Sequence, residues 1–251
     1  EGSRSRFVGA DDWLLHLLVC EVGCLDGGRR DFDDERGSGA AARATATAGA
    51  AARAPAGDGC LITVEGKREG RGICLFSDNT LYEGQWKRNK EHGYGKLMSS
   101  DRKQIIYEGE WERGRMQGTG TYYYGSSDPL KLGSRYVGEF RENLRNGIGR
   151  YFLADGSVYD GQWRDGVMNG LGVFTWPDGS IFDGVWKDGK RNGQGLLRKA
   201  DGFLYDGQWV NNTMEGGGSA IYANGQKYEG SFSNGRREGR GTIVCTNGAV
   251  Y

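Results

Sequence analysis

Residues 159–172 read Tyr159-Asp160-Gly161-Gln162-Trp163-Arg164-Asp165-Gly166-Val167-Met168-Asn169-Gly170-Leu171-Gly172. In an extended chain Tyr159, Gly161 and Trp163 fall on one face, with Asp160 and Gln162 on the other. Period two with one aromatic face signals a strand, not a helix. Gly166, which tolerates positive φ, marks a tight turn. Gly170 and Gly172 then lie in a second strand, and Phe174 returns to the aromatic face.

The same frame recurs along the chain. Tyr136, Tyr159, Phe182, Tyr205, Tyr228 and Tyr251 follow one another at 23 residues. Tyr82 and Tyr107 open two earlier units, and Gly59 fills the aromatic position of a degenerate first one. Eight units thus occupy about residues 59–250. Four residues after each opening aromatic stands Trp86, Trp111, Phe140, Trp163, Trp186, Trp209 or Phe232, with glycine between. The first position is usually acidic: Glu83, Glu108, Asp160, Asp183, Asp206 and Glu229. Seven residues in, every unit has glycine or asparagine, residues suited to positive φ. The unit ends in Asp155-Gly156, Asp178-Gly179, Asp201-Gly202, Asn224-Gly225 or Asn247-Gly248, pairs that signal two-residue hairpin turns.

Composition agrees with a repeated backbone motif. Glycine numbers 46 of 251 residues, more than twice the usual ~7%, while aromatics reach 12% and prolines number three. Glycine inside strands costs stability. The Gly-x-Gly pairs are therefore expected to leave hollows into which Tyr and Trp rings of neighbouring strands lie, as in the aromatic cover of designed sheets. No unit buries its rings alone, so stability comes from stacking neighbours.

The frame Tyr-x-Gly-x-Trp-x-x-Gly-x-x-x-Gly-x-Gly, as in residues 159–172, closely resembles the MORN repeat over about three quarters of the chain. The resemblance implies an all-β fold: an elongated, twisted antiparallel sheet of tandem β-hairpins, an open rod or groove. Sixteen strands at ~4.8 Å would make a rod of roughly 75 Å. It further implies an assembly role: scaffolding, membrane contact, or targeting of an attached enzyme such as a lipid kinase or methyltransferase. Insertions at residues 103–106 and 126–133, and the uncharged turn of residues 210–214, depart from the frame and put regular packing there in doubt.

Residues 1–58 form a separate segment, low in complexity over 37–58 and expected to be disordered; the array fills 59–251. Trp13, Leu14, Leu17 and Leu18 would line one face of a helix. The chain begins at Glu1 and ends at Tyr251, the first residue of a further unit, and reads as cut at both ends. Five cysteines without C-x-x-C spacing read as reduced thiols of a cytoplasmic protein, cytoskeletal or peripheral to a membrane. The run from Trp13 to Cys20 is shorter than a membrane helix.

Zero net charge gives no pull toward nucleic acid. His16, Cys20 and Cys24 share one side of a helix but lack a fourth zinc ligand and the usual spacing. With two histidines in the chain, a histidine-based triad is hard to assemble. The acidic row, once per unit, is a solvated face and not a catalytic pair, and the Gly-x-Gly pairs lack the helix that a phosphate loop needs. No catalytic site, cofactor or metal is expected.

A non-catalytic scaffold binding proteins through its aromatic face is the leading reading, with Trp86, Trp111, Trp163, Trp186 and Trp209 as candidate partner-binding residues. The alternative is a module for anionic phospholipids, phosphoinositides among them, using basic turn residues Lys87, Arg88, Lys90, Arg113, Arg115, Lys187, Lys190, Arg191, Arg236 and Arg237. Exposed sheet edges at the ends of such an array make a homodimer an expectation too.

Overall fold

The computed structural model describes residues 62–64, 67–99, 101–125 and 131–251. Sixteen strands follow one another with no helix among the described residues. They are β1 (Ile62–Val64), β2 (Lys67–Leu75), β3 (Thr80–Lys87), β4 (Lys90–Ser99), β5 (Ile105–Glu112) and β6 (Arg115–Tyr123). Then come β7 (Arg135–Arg141), β8 (Leu144–Phe152), β9 (Val158–Arg164), β10 (Val167–Thr175) and β11 (Ile181–Lys187). The last are β12 (Lys190–Arg198), β13 (Leu204–Val210), β14 (Thr213–Ile221), β15 (Lys227–Ser233) and β16 (Arg236–Val244). Each strand pairs antiparallel with the next, in sequence order, and the sheet stays open between its edges β1 and β16. The expected hairpin array is the fold found.

Two turns alternate. Within a unit the hairpin turns on two residues that both have positive φ, as at Asp165 (50°) and Gly166 (87°), or Asn211 (48°) and Asn212 (73°). That is the type I′ geometry whose twist matches paired strands. Between units the Asp-Gly pairs work differently from the two-residue turn that they signal. At Ala154-Asp155-Gly156 the loop has three residues: Leu153 N–H donates to Ser157 O at 2.9 Å, and Gly156 alone has positive φ (93°). Asp155 keeps a negative φ because its Oδ1 accepts the Ser157 N–H at 2.8 Å. An aspartate that caps the backbone in this way favours an Asx turn.

A bulge recurs inside each hairpin from β3–β4 to β15–β16. In β9 and β10, Gly161 pairs with Gly172 and Trp163 with Met168, so one strand advances two residues while the other advances four. Such an irregularity bends the strand and sharpens its twist. Gly170, inside the bulge, has φ 105°, which only glycine adopts without strain. Bent in this way, a single sheet buries its aromatic face: the rings at the opening position from Tyr82 to Tyr205 are 0% exposed.

The glycines do leave room for rings. A Cβ on Gly161 would stand 2.5 Å from Gly172 Cα, 2.6 Å from Leu171 O and 2.7 Å from the Tyr159 hydroxyl. The opening ring thus covers the bare backbone of its own hairpin, and the tryptophan reaches back to the preceding unit. Where packing was in doubt, the first insertion does shift the register, since Leu97 pairs with Tyr107 but Met98 with Ile105, while the pairing on either side is kept. The β4–β5 connection is closed by Ser99 N–H donating to Gln104 O at 2.9 Å, and the longer one by Tyr124 N–H donating to Ser134 O at 3.0 Å. Val210 and Thr213 pair normally across the uncharged turn.

Candidate interaction surface

The buried face is a ladder of rings. Tyr82 meets both Trp86 of its own unit (5.0 Å) and Trp111 of the next (5.3 Å), edge to face. The pattern repeats through Tyr107, Phe140, Tyr136, Trp163, Tyr159, Trp186, Phe182, Trp209, Tyr205, Phe232 and Tyr228, with centroids 4.8–5.4 Å apart and planes at 79–90°. Such pairs contribute about 0.5–1.5 kcal/mol each beyond the area they bury. Polar atoms of the ladder are engaged by backbone. The hydroxyl of Tyr159 donates to Gln162 O at 2.9 Å, and the Trp186 indole N–H donates to Gly172 O at 2.9 Å. Burial pushes the hydroxyls of Tyr82, Tyr107, Tyr136 and Tyr159 well above the usual phenol value, and that of Tyr205 up to about 12.

All five candidate tryptophans, Trp86, Trp111, Trp163, Trp186 and Trp209, stand in this ladder and are 1–7% exposed. They form the floor of the aromatic face. What remains accessible on that face is a neighbouring row, beside the Asp-Gly loops: Tyr124, Leu153, Trp176 and Tyr222 are half-buried against the ladder. They occupy one repeat position, and the tilted Phe174–Trp176 pair, 4.7 Å apart, ties the row to the core. Sequence reasoning passed over this row because the position varies, with Lys199 in the same place, yet its apolar residues recur at the repeat period.

Of the candidate basic residues, Lys87, Arg88, Lys90, Arg113, Arg115, Lys187, Arg236 and Arg237 are exposed and Lys190 is half-exposed. Arg191 departs from that group. It is 3% exposed, its guanidinium lies 4.4 Å over Trp209, and its Nη2 donates to Asn212 O at 3.0 Å. Arg145 over Trp163 (4.2 Å) and Arg68 over Trp86 (4.1 Å) repeat the arrangement. This position, two residues past the turn, faces inward: Met116, Met168 and Met214 exchange with arginine there, Glu91 takes it in the second unit, and Arg237, though exposed, lies 5.3 Å over Tyr222 and 5.5 Å over Tyr228. The exchange of arginine with methionine is the signal that marks it as buried.

The edge of type I′ turns carries ion pairs between successive units: Arg115 with Glu142 (3.0 Å), Arg141 with Asp165 (2.9 Å) and Arg164 with Asp188 (3.9 Å). On the outer face the acidic row is partly neutralised, by Lys96 on Glu108 at 3.0 Å and by Arg150 on Asp160. The hydrogen bond from Lys96 holds the Glu108 carboxyl below its ordinary range. Among the described residues no group of three or more His, Cys, Asp or Glu side chains could hold a metal ion. His16, Cys20, Cys24 and the apolar run from Trp13 lie outside the described residues.

The chain is similar in structure to the SAS-4 (dCPAP) TCP domain of Drosophila melanogaster, solved with a proline rich motif of Ana2 (dSTIL). The identity is 12%, the TM-score 0.35, and the match covers 72% of this chain and 88% of that one. The TCP10 domain of Danio rerio CPAP, solved with a STIL peptide, matches at 12% identity and TM-score 0.40, over 71% of this chain and 75% of that one. Likeness this low carries no argument about function. No curated protein matches. The MORN repeat family matches at residues 64–81, 82–103, 107–128, 136–158, 159–181, 182–203, 205–227 and 228–250, most of the chain, in the frame that the ring ladder obeys. The chain therefore belongs to the MORN-repeat family.

Proposed function

We propose that this protein is a non-catalytic scaffold that binds other proteins along the accessible edge of its aromatic face. The observation that carries the reading is the half-buried row Tyr124, Leu153, Trp176 and Tyr222, set against a fully buried ladder. Rings that keep one edge in solvent and are fixed at the other make low-entropy contacts, the trait of interface anchors. The row rests on other rings of the same face, Tyr124 on Tyr122 and Tyr151, Trp176 on Phe174 and Tyr222 on Phe203.

The test rests on one substitution. The full chain is used to retain partners from native lysate, and Trp176→Ala is compared with wild type under the same conditions. Specific partners lost in Trp176→Ala, with near-ultraviolet circular dichroism unchanged, support the row as the contact surface. Retention of no discrete partner by the wild-type chain would sink the reading.

A second reading has its own observation. Lys87, Arg88 and Lys90 are exposed around one type I′ turn and make no ion pair among the described residues. Anionic membranes attract such residues at about 1 kcal/mol each. Co-sedimentation with phosphatidylserine vesicles should then fall with salt and with Lys87→Ala/Arg88→Ala; binding indifferent to anionic lipid content rules it out.

A further inference from the structure

On the outer face the acidic row has one gap. Every unit from the second to the eighth has Asp or Glu after its opening aromatic, except the fourth, which has Val137. Strand pairing sets Val137 beside Thr121 on β6 and Arg150 on β8. Arg135, two residues earlier on the same face, lies with its guanidinium carbon 4.2 Å over the Phe152 ring. It is exposed and makes no ion pair among the described residues. Arg150 has one acid, Asp160, at 2.8 Å from its Nε. These side chains, with Tyr123, line a shallow depression of about 400 Å³. Beside it, Val137 and Ile148 are 41% and 62% exposed. Two guanidiniums with one carboxylate, next to bare aliphatic surface, fit a peptide in which acids adjoin apolar residues. The planar guanidinium takes a carboxylate in a two-point grip.

We propose that this depression is a peptide-binding site and that its occupant is residues 7–28 of the same chain. That stretch carries Asp11, Asp12, Glu21 and Asp26 with no Lys or Arg. Asp11 and Asp12 directly precede Trp13 and Leu14, so carboxylates and apolar side chains are adjacent, as the site requires. The tether also fits. From Asp12 to Ile62 is 50 residues (62 − 12), and a chain of that length can reach at most about 165–180 Å. From β1 to β7 is six strand spacings, or roughly 29 Å. The connection is thus long enough to span the gap, which makes binding of the segment an intramolecular event. The site lies on the opposite face from the Tyr124–Tyr222 row, so both surfaces can be filled together.

Hydrogen exchange of the full chain, read by mass spectrometry at residues 7–28, tests this. Wild type should show slowed exchange there, equal at low and high protein concentration. Arg135→Glu should speed it about fivefold, as should Asp11→Arg/Asp12→Arg, and the combined charge swap should restore slow exchange. Near-ultraviolet circular dichroism checks that each variant keeps the ring ladder. Exchange at the rate of a free peptide in wild type overturns the proposal, as does protection that survives Arg135→Glu. Protection that grows with protein concentration assigns the site to a second copy and overturns the intramolecular occupant.

Discussion

On the inner face of the sheet, the same two ring positions are filled in every unit from the second to the eighth, by Tyr or Phe and by Trp or Phe. On the outer face, the residue between the paired glycines changes at each step: Arg71, Tyr94, Thr119, Ile148, Leu171, Gln194, Gly217, Arg240. The two sets sit on alternating strands of one sheet, the rings on the odd-numbered strands from β3 to β15 and the variable residues on the even-numbered ones. The inner residues are confined by geometry, since each ring fills space that a missing Cβ provides and touches rings on both sides. The outer residues are exposed and touch little beyond neighbouring polar side chains, as Tyr94 does Glu108 and Gln194 does Asp206, so they can vary from unit to unit. A single-layer sheet can thus separate two tasks, with the buried ladder providing cohesion while the accessible positions, the Tyr124–Tyr222 row among them, are left free to vary.

Removing a ring should break the inner face most severely. Trp186 is 1% exposed, touches Tyr159 and Phe182, and donates to Gly172 O. Trp186→Ala is expected to cost about 3–5 kcal/mol in urea unfolding. Because the ladder is continuous, the loss should weaken the neighbouring units as well, seen as a broadened or split transition. A cost near that of a surface substitution would show that the ladder does not bind the units together.

Alkali attacks the same face. An unfolded tyrosine loses its proton near pH ~10, whereas burial holds the Tyr205 phenol to about 12. Between these values the folded chain keeps a proton that the unfolded chain has released, so stability falls as pH rises. It is complete below ~10, and Tyr205 alone should lose on the order of 2–3 kcal/mol across the window. The more deeply shifted Tyr82, Tyr107, Tyr136 and Tyr159 add to this loss. Tyr205→Phe should flatten the decline, because Phe182 already serves at that position. Denaturant midpoints that stay level from pH 9 to pH 12 would contradict a buried hydroxyl row.

A subtler way to break the inner face is to add one carbon. At Gly161 a Cβ meets backbone first, Gly172 Cα at 2.5 Å and Leu171 O at 2.6 Å, so moving the Tyr159 hydroxyl aside would not make room for it. Gly161→Ala should cost about 1–3 kcal/mol and separate β9 from β10 locally, seen as faster amide exchange in both strands. An unchanged midpoint would mean that the bare backbone is not there to accept the ring.

Much of this architecture was legible from spacing alone. The fixed ring and glycine positions exposed the strand period, and the Gly or Asn seven residues in marked a turn that does require positive φ. The Asp-Gly loops were misjudged by one residue because the aspartate side chain, not its φ, makes the turn. Arg191 was counted with the turns because charge suggested exposure, while its stacking on Trp209 depends on the bulge, which no local pattern announces. The tryptophans were offered as a contact surface because their depth depends on that same bend. Pairings across strands, such as Lys96 with Glu108, needed the register.

The smallest effect belongs to the outer face. Leu171 is 64% exposed and sits between Gly170 and Gly172, where inner-face positions tolerate nothing. Its backbone N–H is taken by the Gln162 side chain at 2.8 Å, a bond that any residue at 171 can make. Leu171→Ser should therefore shift stability by no more than about 0.5 kcal/mol, while Trp186→Ala, two strands' width away at most, costs several times more. If Leu171→Ser lowered the melting temperature comparably, the outer face would have to be covered in the folded protein, and the division between a cohesive face and a free one would fail at its clearest point.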